Sequence, residues 1–132
     1  MNKRLLKIAA AVLVLASAVM ACDFSASTVS ISSAKLTADS ANVVETAVFK
    51  ADQPFYDVVS IANAPDTTKV KAVWYAISDA GAPTQLVEKE IVGSNTPITF
   101  SATNANPWPV GKYKVEIYLN DKLDRTQEFS VQ

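Results

Sequence analysis

After residue 28 the apolar side chains recur at every second position, and this period of two most constrains what the chain can fold into. In 112–119, Tyr113, Val115, Ile117 and Leu119 alternate with Lys112, Lys114 and Glu116. A strand sends neighbouring side chains to opposite faces, so the segment has one apolar and one polar side. In 69–78, Val70, Ala72, Trp74 and Ala76 share one phase, and Val73, Tyr75 and Ile77 the other. Phe55, Val59 and Ile61 likewise oppose Tyr56 and Val58. Further strands are expected over 28–36, 85–92, 98–100 and 123–131, the last with Phe129 and Val131 inward. Segment 42–49 suits a strand through Val43, Val44, Val48 and Phe49, and equally tolerates a helical turn at 45–47. Turn-forming residues fill 63–68, 79–83, 93–95, 103–109 and 120–122. Seven or eight short strands with no sustained helical period predict an all-β, antiparallel sandwich or barrel in one domain over 29–132.

Composition excludes more than it selects. The 132 residues contain no His and one Cys. That removes Ser-His-Asp and Cys-His nucleophile pairs, imidazole metal ligands, an internal disulfide and cysteine-cluster metal sites. Without the first 21 residues, 9 basic side chains face 13 acidic ones, a charge of about −4 that argues against a nucleic-acid partner.

The N-terminus has a different character. Lys3, Arg4 and Lys7 precede an unbroken run of small and apolar residues over 8–19. As a helix those 12 residues span about 18 Å, short of the roughly 30 Å of a bilayer core. A basic start, a short apolar stretch and small residues before a cut are the parts of a secretory signal, expected over 1–21.

Val19-Met20-Ala21-Cys22 resembles the lipobox of bacterial lipoproteins, although Met20 departs from the usual middle residue. The resemblance implies that Cys22 is lipidated and becomes the mature N-terminus. A lone Cys in an exported chain fits that role, and two or three acyl chains anchor where one does not. Asp23 resembles the inner-membrane retention signal of some Gram-negative lipoproteins. Residues 22–28 then form the tether, in which the five residues 24–28 reach at most about 17 Å.

Two features favour a sandwich. Trp74 sits mid-strand, where immunoglobulin-type domains pack a Trp against the opposite sheet. Gly111-Lys112-Tyr113-Lys114-Val115 resembles their sixth strand, in which such a Tyr forms a tyrosine corner. The family's cysteine pair is absent, Val115 standing at the second position, so the resemblance extends equally to fibronectin-III-like domains. It implies an immunoglobulin-like fold, which does not itself imply a function.

Few residues stand out as functional. Pro107 and Pro109 stiffen the backbone around Trp108, which either plugs the end of the sandwich or offers a pre-positioned ring to a ligand. Tyr75 and Tyr118 fall on the outer face, as a binding surface or as cross-strand packing. The carboxylates are scattered, and none is expected in a buried setting that raises its pKa for acid catalysis. Asp57 alone shares the phase of Phe55, Val59 and Ile61, so it points inward or marks a strand edge or a slipped register.

These readings predict a non-catalytic, lipid-anchored module of the bacterial envelope, without cofactor or metal. It would meet the membrane through acyl chains on Cys22. Another envelope or extracellular protein would be met through loops 63–68 and 103–109, the outer sheet, or a sheet edge. The alternatives are a peptidase inhibitor wedging Pro107-Trp108-Pro109 into a protease, and a carbohydrate-binding module with Trp108, Tyr75 or Tyr118 exposed on a common face.

Overall fold

The computed structural model describes residues 28–41 and 44–132. The expected signal peptide, with Cys22 and Asp23, lies outside the described residues. Eight strands follow in order: β1 (Ser30–Thr37), β2 (Val48–Phe49), β3 (Phe55–Ala62), β4 (Lys69–Ile77), β5 (Pro83–Val92), β6 (Ile98–Ala102), β7 (Gly111–Leu119) and β8 (Lys122–Val131). They form two sheets, β1-β3-β6 and β2-β8-β7-β4-β5, whose inner faces enclose one core. The pairs are antiparallel except β2 with β8. The architecture is the expected sandwich.

Period-two patterning is strictest in β3 and β7, where Phe55, Val59 and Ile61 and Tyr113, Val115 and Ile117 are buried. Alternation weakens in β1 because of a bulge between Ile31 and Ser33. The extra residue shifts the phase, so Ile31 and Leu36 both face the core despite their odd separation. Segment 42–49 resolves as neither a full strand nor a helical turn over its described part. Glu45 bridges to Thr37, and Val48-Phe49 then pair with Ser130-Val131, so the chain passes from one sheet edge to the other.

Six aromatic rings fill one end of the core: Phe49, Phe55, Trp74, Trp108, Tyr113 and Phe129. Trp74 is fully buried and meets Phe55 of the opposite sheet at 6.0 Å between ring centroids. The Tyr113 hydroxyl donates to the Pro109 carbonyl at 2.6 Å, the upstream backbone bond of a tyrosine corner. Asn120 and Asp121, both at positive φ, make the two-residue turn between β7 and β8.

The register fixes which loops share an end. Ser30 pairs with Ala62, whereas Phe55 pairs with Ala102. Loops 63–68, 93–97 and 120–121 therefore lie at the end where the N-terminal segment enters. Loops 50–54, 78–82 and 103–110 lie at the opposite, distal end, about 25 Å away along β3. Loops 63–68 and 103–109 cannot form one surface.

Candidate functional site

Trp108 is held by residues more than 50 positions away in sequence. Its backbone N–H donates to the Ala51 carbonyl at 2.7 Å, and its indole N–H to the Gln53 carbonyl at 3.0 Å. The ring stacks on Phe55 at 4.5 Å between centroids, leaving the residue 8% exposed. Of the two sequence readings, the ring takes the plug position, turned into the core. Pro107 and Pro109 are exposed beside it, so this loop presents prolines but no aromatic wedge.

At the distal end, beside a larger cleft of about 570 Å³ lined by Ala47, Ile77, Gly81, Lys112 and Glu128 among others, a shallow cleft of about 210 Å³ lies between loops 51–54 and 103–108. Its rim carries Asp52, Gln53, Asn104 and Asn106. Small-molecule pockets usually start near 300 Å³ and are mostly apolar, so this cleft suits a loop or a polar group better than an enclosed ligand.

Tyr75 and Tyr118 project from the outer face of the five-stranded sheet, as parity predicted, and both are already engaged. Lys114 Nζ lies 4.9 Å from the Tyr75 ring centre, and Lys71 Nζ lies 4.7 Å from that of Tyr118. Glu116 accepts from Lys114 at 2.8 Å and from the Tyr118 hydroxyl at 2.7 Å. The Lys114 bond leads in lowering the Glu116 pKa, and the Glu116 bond leads in pushing Tyr118 up to about 12. Beneath this network Val73 is only 3% exposed. The arrangement is cross-strand packing of charged and aromatic side chains. With Trp108 turned into the core, the three rings share no common face.

Asp57 corrects one expectation. It points into the core at 0% exposure, as its phase with Phe55 and Val59 indicates, and neither a strand edge nor a slipped register is involved. Its carboxylate oxygens have no hydrogen-bond partner. Burial raises its pKa to about 7, opposed by the nearby Gln127 amide and the Arg125 charge. The chain therefore does contain a carboxyl in a pKa-raising environment.

Arg125 and Gln127 were not singled out from the sequence, although they share the phase of Phe129 and Val131. From β8 they cross to the other sheet. Arg125 Nη2 donates to the Ile31 carbonyl at 2.9 Å, and Gln127 Nε2 to the Ala34 carbonyl at 3.1 Å. A single buried acid facing an amide and a guanidinium lacks the second carboxylate of glycosidase chemistry. No group of His, Cys, Asp or Glu among the described residues could hold a metal ion.

No family model matches the sequence, and no curated protein matches it. Two of the solved structures similar in fold illustrate the likeness. One is an immunoglobulin-like protein from Pseudomonas aeruginosa, with TM-score 0.56 and 14% identity over 82% of this chain and 99% of that one. The other is an alkylpurine DNA glycosylase from Pseudomonas fluorescens bound to DNA containing an abasic site analog, with TM-score 0.50 and 15% identity. That match covers 79% of this chain but 30% of the glycosylase. At such identities the likeness concerns fold alone, and that fold is an immunoglobulin-like β-sandwich.

Proposed function

We propose that this immunoglobulin-like sandwich is a non-catalytic module of the bacterial cell envelope, anchored by lipid on Cys22, which meets another envelope or extracellular protein with its distal end. The observation that carries this reading is polarity along the strands. β1 enters at one end, and the cleft between loops 51–54 and 103–108 opens at the other. A short tether before β1 would hold the entry end close to a membrane and turn the distal end outward. Exposed Pro107 and Pro109, fixed by the buried Trp108 between them, give that end a rigid shape that loses little entropy on docking. A peptidase-inhibitor reading loses its wedge, because the Trp108 ring lies inside. A carbohydrate platform loses its common aromatic face for the same reason.

The test is intact mass and fatty-acid analysis of the full chain from its native membranes, with crosslinking from the distal loops. The expected result is a chain starting at Cys22 with two or three acyl groups, and crosslinks from residues 104–107 to a protein. An unmodified Cys22 in a soluble fraction would overturn the anchor. Crosslinks confined to the entry end would overturn the orientation.

A further inference from the structure

We propose that Asp57, Gln127 and Arg125 form a proton-controlled latch that holds β1 against β8 and loosens it when Asp57 loses its proton. The proposal is independent of what the distal end binds.

It begins from unmatched polar atoms. Among the buried side-chain atoms, both Asp57 oxygens and Gln127 Oε1 are acceptors without partners. An unpaired buried acceptor destabilises the fold, and a charged one destabilises it more. One proton changes the count: a neutral Asp57 carboxyl has an O–H to offer, and Gln127 Oε1 is a neighbouring acceptor with nothing bound to it. The amide then keeps its other end, Nε2, on the Ala34 carbonyl.

Ionisation removes that donor. Three acceptor oxygens then face one another, and the donors at hand are Gln127 Nε2 and the Arg125 guanidinium. Both are committed to β1, on Ala34 and Ile31. Turning the Gln127 amide toward the carboxylate would aim Oε1 at the Ala34 carbonyl, two acceptors in opposition. Drawing Arg125 inward would release the Ile31 carbonyl and strain its 2.7 Å contact with Asp124. Either adjustment satisfies Asp57 at the expense of β1.

The groups that bear on Asp57 are few. β8 supplies Arg125 and Gln127, and the register partners on β1 and β6 are apolar, Leu36 and Phe100. A side cleft of about 340 Å³, lined by Leu36, Glu45, Thr46, Ala47, Gln127 and Glu128, reaches Gln127 and places two carboxylates, Glu45 and Glu128, beside it. A carboxyl pushed to about 7 by burial titrates within the ordinary range of environmental pH. β1 is the edge strand of its sheet beyond β3, and besides its buried Ile31 and Leu36 and the bonds of residues 36–38 to 44–46, these two side-chain bonds tie it directly to β8.

The test is amide hydrogen exchange of the full chain at pH 5.5 and 8.5, corrected for intrinsic exchange, comparing β1 with β7. Linkage with a native value of about 7 predicts that opening which exposes Asp57 rises roughly 30-fold over this interval. The latch predicts that rise in residues 31–37 through a local opening, faster at each pH than exchange of β7 amides, which open only with the whole domain and follow its global stability. Asp57→Asn should make β1 exchange independent of pH, and Gln127→Met should make it fast at both values. Direct NMR titration of the wild-type Asp57 carboxyl should give a midpoint well above 5, a readout that survives if a variant fails to fold. A midpoint near 4, β1 amides that exchange only at the global rate of β7 at both pH values, or an unaltered pH response in Asp57→Asn would each overturn the latch.

Discussion

Replacing Trp108 with Ala tests whether the indole closes the sandwich or merely decorates it. A buried Trp covers roughly 150–250 Å², which at about 25 cal/mol per Å² corresponds to about 4–6 kcal/mol of burial, an upper estimate. Truncation also removes the 3.0 Å bond to the Gln53 carbonyl, worth about 1 kcal/mol net, and the face-to-face contact with Phe55. Water entering from the distal cleft would rehydrate that carbonyl and offset part of this loss. A cost of about 4 kcal/mol results, within the usual range for large-to-small core changes. Domains of this kind hold about 5–15 kcal/mol in total, so the variant should be close to unfolding. Urea titration followed by fluorescence of Trp74, the other Trp in the chain, should show the midpoint falling by about 2 M at a typical slope. Trp108→Phe should recover more than half, because it keeps a ring on Phe55 and loses the N–H. A loss under about 1 kcal/mol for Trp108→Ala, with unchanged slope, would refute the plug and return the residue to the candidate ligand contacts.

Tyr113→Phe deletes the 2.6 Å bond to the Pro109 carbonyl and should cost about 1–1.5 kcal/mol in the same assay, with the ring packing intact. Asp57 should impose a pH slope on stability. Its native pKa, about 7, lies above the unfolded value of 3.8, so its contribution is fully present below about pH 4 and lost as pH rises through 7. The loss is on the order of 4 kcal/mol, and urea titrations at successive pH values should show it in the wild type and not in Asp57→Asn. Glu116→Gln should bring the Tyr118 hydroxyl down from about 12 toward its ordinary value near 10, read as phenolate absorbance, with stability changing by less than about 1 kcal/mol.

Several parts of this molecule are legible from spacing alone. Alternation in 112–119 and 69–77 reports a sheet with one buried face, because burial of Tyr113, Val115, Ile117, Val70 and Trp74 requires that phase. The sandwich is legible through the resemblance of Trp74 and residues 111–115 to immunoglobulin-type patterns, of which only the Tyr113 bond to the Pro109 carbonyl is local in sequence. Other parts depend on pairings that spacing does not encode. The bulge after Ile31 shifts the phase of β1, so its alternation looks weak although its burial is not. Trp108 could not be assigned from Pro-Trp-Pro, since what turns it inward is the backbone of Ala51 and Gln53. Asp57 announced its direction by phase. Its neighbours Arg125 and Gln127 lie about 70 positions away, and polar residues in an inward phase on both strands were the available signal.

The free edge of β5 has a consequence for how copies of this chain meet. Edge strands with open hydrogen-bonding groups invite pairing with their own kind. A two-fold antiparallel match keeps each face of the sheet continuous, so residues of like parity must stand opposite one another. Centred on Lys89, it would set Lys89 against Lys89 and Glu88 against Glu90; centred on Glu88, it would set Glu88 against its own copy. Both registers are repulsive. In these two registers the charges of β5 set copies of the chain against pairing edge to edge, a repulsion that added salt would screen.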